Sequence, residues 1–126
     1  MAAVEHSPGF LKLVESVLPN VREVDVAETQ RRTAQGAILV DVREDREWEA
    51  GHARGAVHIG KGVIERDIEQ KVPDAGAEII LYCGGGFRSA LAADSLRKMG
   101  YRNVASMAGG WRAWEAGGGE IEAGNG

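Results

Sequence analysis

Only one cysteine, Cys83, occurs in the 126 residues, which excludes an internal disulfide. Together with three scattered histidines, it also leaves no Cys-rich tetrahedral metal cluster to assemble, so no metal is expected. An excess of positive charge is missing as well. Lys and Arg total 15 against 19 Asp and Glu, a formal net charge of −4, so nothing draws in a phosphate backbone and nucleic acid is not expected as a main partner. Long apolar runs are absent. The longest fall far short of the roughly 20 residues a membrane span needs, so no membrane is expected either. The first 20 residues lack both the basic start and the unbroken apolar stretch of a signal peptide, because Glu5, His6, Lys12 and Glu15 interrupt them; a cytoplasmic location is the expectation.

What is present, 44% hydrophobic and 27% charged residues with 18 glycines, suits one soluble domain with a core large enough to stand without covalent staples. Phe10, Leu13, Val14, Val17 and Leu18 recur at helical spacing before Pro19, which makes residues 1–21 a helical extension on the domain's flank. Residues 22–116 then alternate. Arg22-Glu23-Val24 reads as a brief strand and Asp25 as the cap of a helix over Val26–Thr33. Ala37–Val42 reads as a buried strand, Asp45–Ala50 as a short helix and Val57–Ile59 as a short strand. Val63–Gln70 has helical character, and Glu78–Cys83 is the strongest strand. Arg88–Met99 is a helix with Gly100 as its C-cap, Asn103–Ser106 a strand and Trp111–Ala116 a last helix. This alternation predicts an α/β domain with a mostly parallel sheet flanked by helices, in which ligands sit beyond the carboxyl ends of the strands. Residues 117–126, rich in glycine, are expected to form a flexible tail.

Between the best strand and the best helix lies Tyr82-Cys83-Gly84-Gly85-Gly86-Phe87-Arg88-Ser89. Three glycines without Cβ atoms let the backbone curl until its N–H groups converge around whatever the cysteine sulfur holds. The helix that follows adds its positive end and Arg88 a cation, both of which favour a thiolate or a bound anion. A plain turn does not call for three glycines followed by Arg and Ser.

With this loop, the segments Asp41-Val42-Arg43-Glu44, Gly51-His52-Ala53-Arg54-Gly55-Ala56-Val57-His58-Ile59 and Gly109-Gly110-Trp111 make the chain resemble the rhodanese family of sulfurtransferases over about Val24–Trp114. The resemblance implies a single rhodanese-like domain built on a five-stranded parallel sheet, with Cys83 as the catalytic nucleophile. It further implies that Gly84, Gly85, Gly86, Phe87, Arg88 and Ser89 form the substrate loop, with Ser89 adding its hydroxyl or capping the helix, that Arg43 contacts a substrate anion or pairs with Glu44 or Glu47, with Asp41 orienting Arg43 or receiving backbone N–H groups, and that no cofactor takes part. His52 and His58 are read as structural, and Trp48, Trp111 and Trp114 as core. Phe87 either faces outward toward a partner or shields the sulfur. Arg54 stands where the family usually has proline, which bears on the rim of the pocket.

Four residues separate Cys83 from Arg88, whereas phosphatases and arsenate reductases of this fold have five. The tighter loop suits one outer sulfur on Cys83 better than a tetrahedral oxyanion. The implied activity is transfer of sulfane sulfur from a donor such as thiosulfate, through a Cys83 persulfide, to cyanide or to an external thiol, since no second cysteine can accept it. A sulfur carrier or docking module without turnover is the alternative, and an arsenate reductase or phosphatase a third reading.

Overall fold

The computed structural model describes residues 6–124. Helix α1 (Pro8–Val17) starts on a proline, whose missing N–H costs nothing in the first turn, and buries Val14 and Val17; a single 3-10 turn over Leu18–Asn20 ends it. Strand β1 (Arg22–Val24) leads to α2 (Val26–Thr33), whose N-cap Asp25 accepts a hydrogen bond from Glu28 N at 2.8 Å. Strand β2 (Ile38–Asp41), α3 (Asp45–Ala50), β3 (His52–Ala53) and β4 (Val57–His58) follow. A 3-10 turn then runs into α4 (Ile64–Lys71), and the chain continues through β5 (Ile79–Tyr82), α5 (Phe87–Lys98), β6 (Val104–Met107), α6 (Gly110–Ala116) and β7 (Ile121–Glu122).

The main sheet has the strand order β1-β6-β5-β2-β4, with every pair parallel. This is the expected α/β architecture. In β5 alternate side chains serve opposite faces, as the strand's two-residue period requires. Ile79 and Leu81, with Cys83 beyond the strand end, join Val40, Ile64, Ile68 and Leu96 in one core; Ile80 and Tyr82 join Leu39, Met107 and Trp114 in the other. A strand buried on both faces is why the apolar residues run on without a break from Ile79 to Cys83. Being central, β5 delivers Cys83 to the carboxyl end of the sheet with a neighbouring strand on each side. No helix among the described residues is long and apolar enough to cross a membrane.

Two features depart from the reading of the sequence. A second, two-stranded antiparallel sheet pairs His52 with Glu122 and Ala53 with Ile121, so the glycine-rich segment expected to be a flexible tail is in fact folded back through residue 124. Positions 125–126 lie outside the described residues. The cause is close approach rather than apolar burial. A Cβ on Gly119 would overlap the Trp114 indole, so glycine lets the chain cross the ring. Gly119 N then donates to Trp114 O at 2.9 Å, and the indole Nε1–H to Glu120 O at 2.9 Å. The second departure concerns Arg54, in the turn directly after β3. Its N–H and guanidinium both meet Glu120, at 3.0 and 2.8 Å; the substitution for proline therefore alters the β3–β7 edge and leaves the Cys83 loop untouched.

Candidate active site

Cys83 follows directly on β5 and is 1% exposed. Its Sγ is met by three groups from the loop and the first turn of α5: Gly86 N–H at 3.1 Å, Ser89 N–H at 3.4 Å and the Ser89 hydroxyl at 3.5 Å. Gly86 makes this possible by standing at φ +102°, a left-handed conformation that turns the chain into α5 as its N-cap. Ser89 is therefore not the cap. Its hydroxyl is instead held between the sulfur and Ser106 Oγ, 2.8 Å away on β6. Three hydrogen-bonding groups thus converge on one buried sulfur, an arrangement suited to holding negative charge on it or on an atom it carries.

The loop is clamped from behind by the second glycine motif. Gly109 and Gly110 have φ of +78° and +52°, and a Cβ on Gly110 would overlap Cys83 O. This close approach lets the Trp111 N–H reach Cys83 O at 2.7 Å and the Arg112 N–H reach Gly84 O at 3.2 Å. Gly109-Gly110-Trp111 thus serves as the brace of the cysteine loop.

Two arginines flank the glycines. Arg88 lies against Gly84 and forks onto Glu47 of α3, at 2.9 and 3.2 Å. The hydrogen bonds to Arg88 hold the Glu47 carboxyl below its ordinary range, and Glu47 in turn holds Arg88 charged. Much of the charge expected of Arg88 is therefore already matched. Arg112 lies against Gly85 and makes no ion pair among the described residues. A cavity of about 460 Å³ opens in front of the sulfur, lined by Cys83, Gly84, Gly85, Phe87, Arg88 and Arg112, with His6 and Phe10 at its edge.

Arg43 is placed differently from a substrate contact. It is 3% exposed, lies outside the lining of that cavity, and spends its donors on the Asp41 carboxylate (2.8–3.1 Å) and on Gly51 O (2.6 Å). Its guanidinium carbon sits 4.6 Å from the Trp111 ring centroid. Asp41 orients Arg43 and receives its backbone N–H at 2.8 Å, both as read, while the pairing with Glu44 or Glu47 is not made; Asp41 ends β2, and its side chain turns onto the residue two positions on. Tyr82 completes the cluster, donating from its hydroxyl to Asp41 at 2.6 Å and accepting from Ala53 N at 3.0 Å. Burial and the neighbouring carboxylate push the Tyr82 phenol far above its ordinary range, so it remains a donor. Asp41 and Arg43 thereby tie the ends of β2 and β5 to β3 just before the cysteine.

His52 and His58 are structural as read. His52 stacks on Trp48 at 3.4 Å with Nδ1 2.8 Å from Trp48 O, and His58 Nε2 lies 2.8 Å from Arg43 O. Sequence reasoning missed Glu47 as the partner of Arg88, and also Ser106, Arg112, His6 and Phe10. Arg112 directly follows the brace motif, which was the available signal; nothing local marks the other four.

The chain matches the family model of the rhodanese-like domain over residues 25–117. It is 32% identical over 93 residues to the thiosulfate sulfurtransferase GlpE of Haemophilus influenzae, covering 74% of this chain and 87% of that protein. To the putative sulfur carrier protein YrkF of Bacillus subtilis it is 36% identical over 76 residues, 60% of this chain and 40% of the relative's length. Among solved structures, a Rhodopseudomonas palustris protein of unknown function, described as a possible tyrosine phosphatase, superposes with a TM-score of 0.78 at 27% identity, covering 97% of this chain and 100% of the other. The parallel sheet, the glycine-braced cysteine loop and the family match together make this chain a member of the rhodanese-like domain family.

Proposed function

We propose that the protein is a sulfurtransferase working through a persulfide on Cys83. The observation that carries this reading is the convergence of Gly86 N–H, Ser89 N–H and the Ser89 hydroxyl on one buried sulfur at the floor of a cavity. The Cys83 thiolate attacks the outer sulfur of a donor such as thiosulfate. The S–S bond of the donor breaks, its electron pair leaves with sulfite, and Cys83 carries the outer sulfur as a persulfide anion. Cyanide or an external thiol then takes that sulfur and restores the thiolate; with a single cysteine in the chain, the acceptor has to come from outside. The names of the relatives, a thiosulfate sulfurtransferase and a putative sulfur carrier, support sulfur handling.

The carrier reading draws on the second of these names. Its other supports, an outward Phe87 and a free glycine-rich tail, weaken because that ring lies half-buried against His6 and Phe10 and the segment 121–122 pairs with β3. A phosphatase draws on the description of the structural neighbour, against which stand the four-residue spacing and donors aimed at the sulfur itself.

Intact mass after incubation with thiosulfate tests the proposal. Wild type is expected to gain one sulfur, about 32 Da, lose it to cyanide with release of thiocyanate, and do neither as Cys83→Ser. A persulfide that cyanide does not discharge would select the carrier. No added sulfur, with Cys83-dependent hydrolysis of an aryl phosphate, would select the phosphatase.

A further inference from the structure

Strand β6 carries one hydroxyl into an apolar core. Ser106 is fully buried and stands in register with Leu81 of β5. Its strand neighbours Ala105 and Met107 belong to the opposite core, so the two-residue period turns Ser106 to the side that holds Leu81, Cys83 and Leu96. A hydroxyl taken out of water costs free energy unless it is hydrogen-bonded, and alanine would fill the position without that cost. The partner is Ser89 Oγ at 2.8 Å, which in turn lies 3.5 Å from Cys83 Sγ. Ser106 makes no other side-chain hydrogen bond among the described residues, so Ser106, Ser89 and Cys83 form a chain that ends inside the protein.

Counting hydrogens decides which way the chain runs. Two hydroxyl hydrogens serve three heavy atoms. When the sulfur has no hydrogen of its own, as in a thiolate or at the inner sulfur of a persulfide, Ser89 donates to Sγ and Ser106 donates to Ser89 Oγ, and every hydrogen has an acceptor. A thiol brings a third hydrogen. The Gly86 and Ser89 N–H groups are already aimed at the sulfur, and an S–H turned onto Ser89 reverses the chain and leaves the Ser106 hydrogen over. A buried hydroxyl without a partner is the costlier state, and aligned hydrogen bonds strengthen one another where the dielectric is low.

We infer that Ser106 is a positioning residue for Cys83: by donating to Ser89 it fixes the Ser89 hydroxyl as a donor to the sulfur and so favours the forms of the sulfur that carry no proton. This rests on Cys83 being the reacting atom of the reading above, and it is indifferent to the molecule that loads it. The charged groups around the loop lie outside the chain. Arg88 of α5, Arg112 of α6 and His6 before α1 line the cavity in front of the sulfur, Glu47 of α3 is committed to Arg88, and the Asp41–Arg43 pair of β2 is tied to Tyr82 of the opposite core. All of them are common to the variants below.

The test titrates the ultraviolet absorbance of the thiolate in the full chain. With one cysteine in the sequence, subtracting the Cys83→Ser titration leaves Cys83 alone. Wild type is compared with Ser106→Ala, Ser106→Thr, Ser89→Ala and the double variant Ser89→Ala/Ser106→Ala, and persulfide formation from thiosulfate is followed in each. Ser106→Ala is expected to raise the midpoint by about half a pH unit, roughly a threefold loss of thiolate below it, the size of one neutral hydrogen bond. Ser106→Thr keeps the hydroxyl and the wild-type midpoint. In the Ser89→Ala background the Ser106 change moves nothing further, because its effect runs through Ser89. An unmoved midpoint in Ser106→Ala, an equal movement with and without the Ser89 hydroxyl, or a Ser106→Thr midpoint displaced as far as that of Ser106→Ala overturns the inference while sulfur transfer stands. Midpoints that move as expected in a protein that takes no sulfur from thiosulfate uphold it and overturn the transfer reading instead.

Discussion

Gly110 is where the backbone of α6 comes so near Cys83 O that a Cβ would overlap it, at a φ of +52°. Alanine there is expected to push the Trp111 N–H off the cysteine carbonyl, with a loss of roughly 1–3 kcal/mol from strain at a left-handed position. The fall should appear in the denaturant midpoint and, because the loop loses its brace, as slower persulfide formation. Gly62 offers the control: it has open space around it, so Gly62→Ala should leave that rate unchanged. Residues such as Cys83 and Ser89 were legible because a strand, three glycines and a helix start follow one another in sequence. Arg43 was half legible. Its partner Asp41 was legible two positions back, since an Asp side chain turns readily onto the residues that follow it, but its burial away from the cysteine cavity was not. Arg112 carried one signal, its place directly after Gly109-Gly110-Trp111, but that it reaches Gly85 depends on how α6 docks.

Between elements, the Glu47–Arg88 fork joins α3 to the first turn of α5 across 41 residues of sequence. Because the hydrogen bonds from Arg88 lower the Glu47 pKa in the folded protein, the unfolded chain binds more protons in the window between the two values, and stability rises with pH there. The contribution is complete above the ordinary glutamate value of 4.5 and is lost as pH falls through the folded value. Urea midpoints of wild type and Glu47→Gln are therefore expected to differ most above that pH and to converge below it. A gap independent of pH would refute the linkage. The elements themselves were readable where the signals were local: Asp25 caps α2 and Pro19 ends the α1 segment as read. The two-residue strands β3 and β7 were not, because main-chain pairing with each other and the passage of Gly119 across Trp114 define them, and neither leaves a periodicity in the sequence.

At the scale of the whole fold, the segment leading into β7 folds back on the domain, where Glu120 O accepts from both the Trp114 indole and the Arg54 N–H. A chain ending at Gly118 would lose the indole's hydrogen bond and uncover the indole face that Gly119 crosses, at a cost on the order of 1–3 kcal/mol. Urea unfolding of the shortened chain is expected to show that loss while persulfide formation persists, since residues 119–124 take no part in lining the cysteine cavity. An equally stable truncation would return this segment to the status of a passive tail.

The placement of β5 has a consequence in time. A central strand with both edges paired opens only when the whole domain does, whereas elements held at the periphery by a few side chains open locally and often. Cys83 hangs from the first kind of element, and the ring wall of His6 and Phe10 belongs to the second, at the head of a helix anchored by Val14 and Val17. The sulfur and the rings facing it are therefore held unequally, one by the centre of the sheet and the other by two buried side chains of a flanking helix.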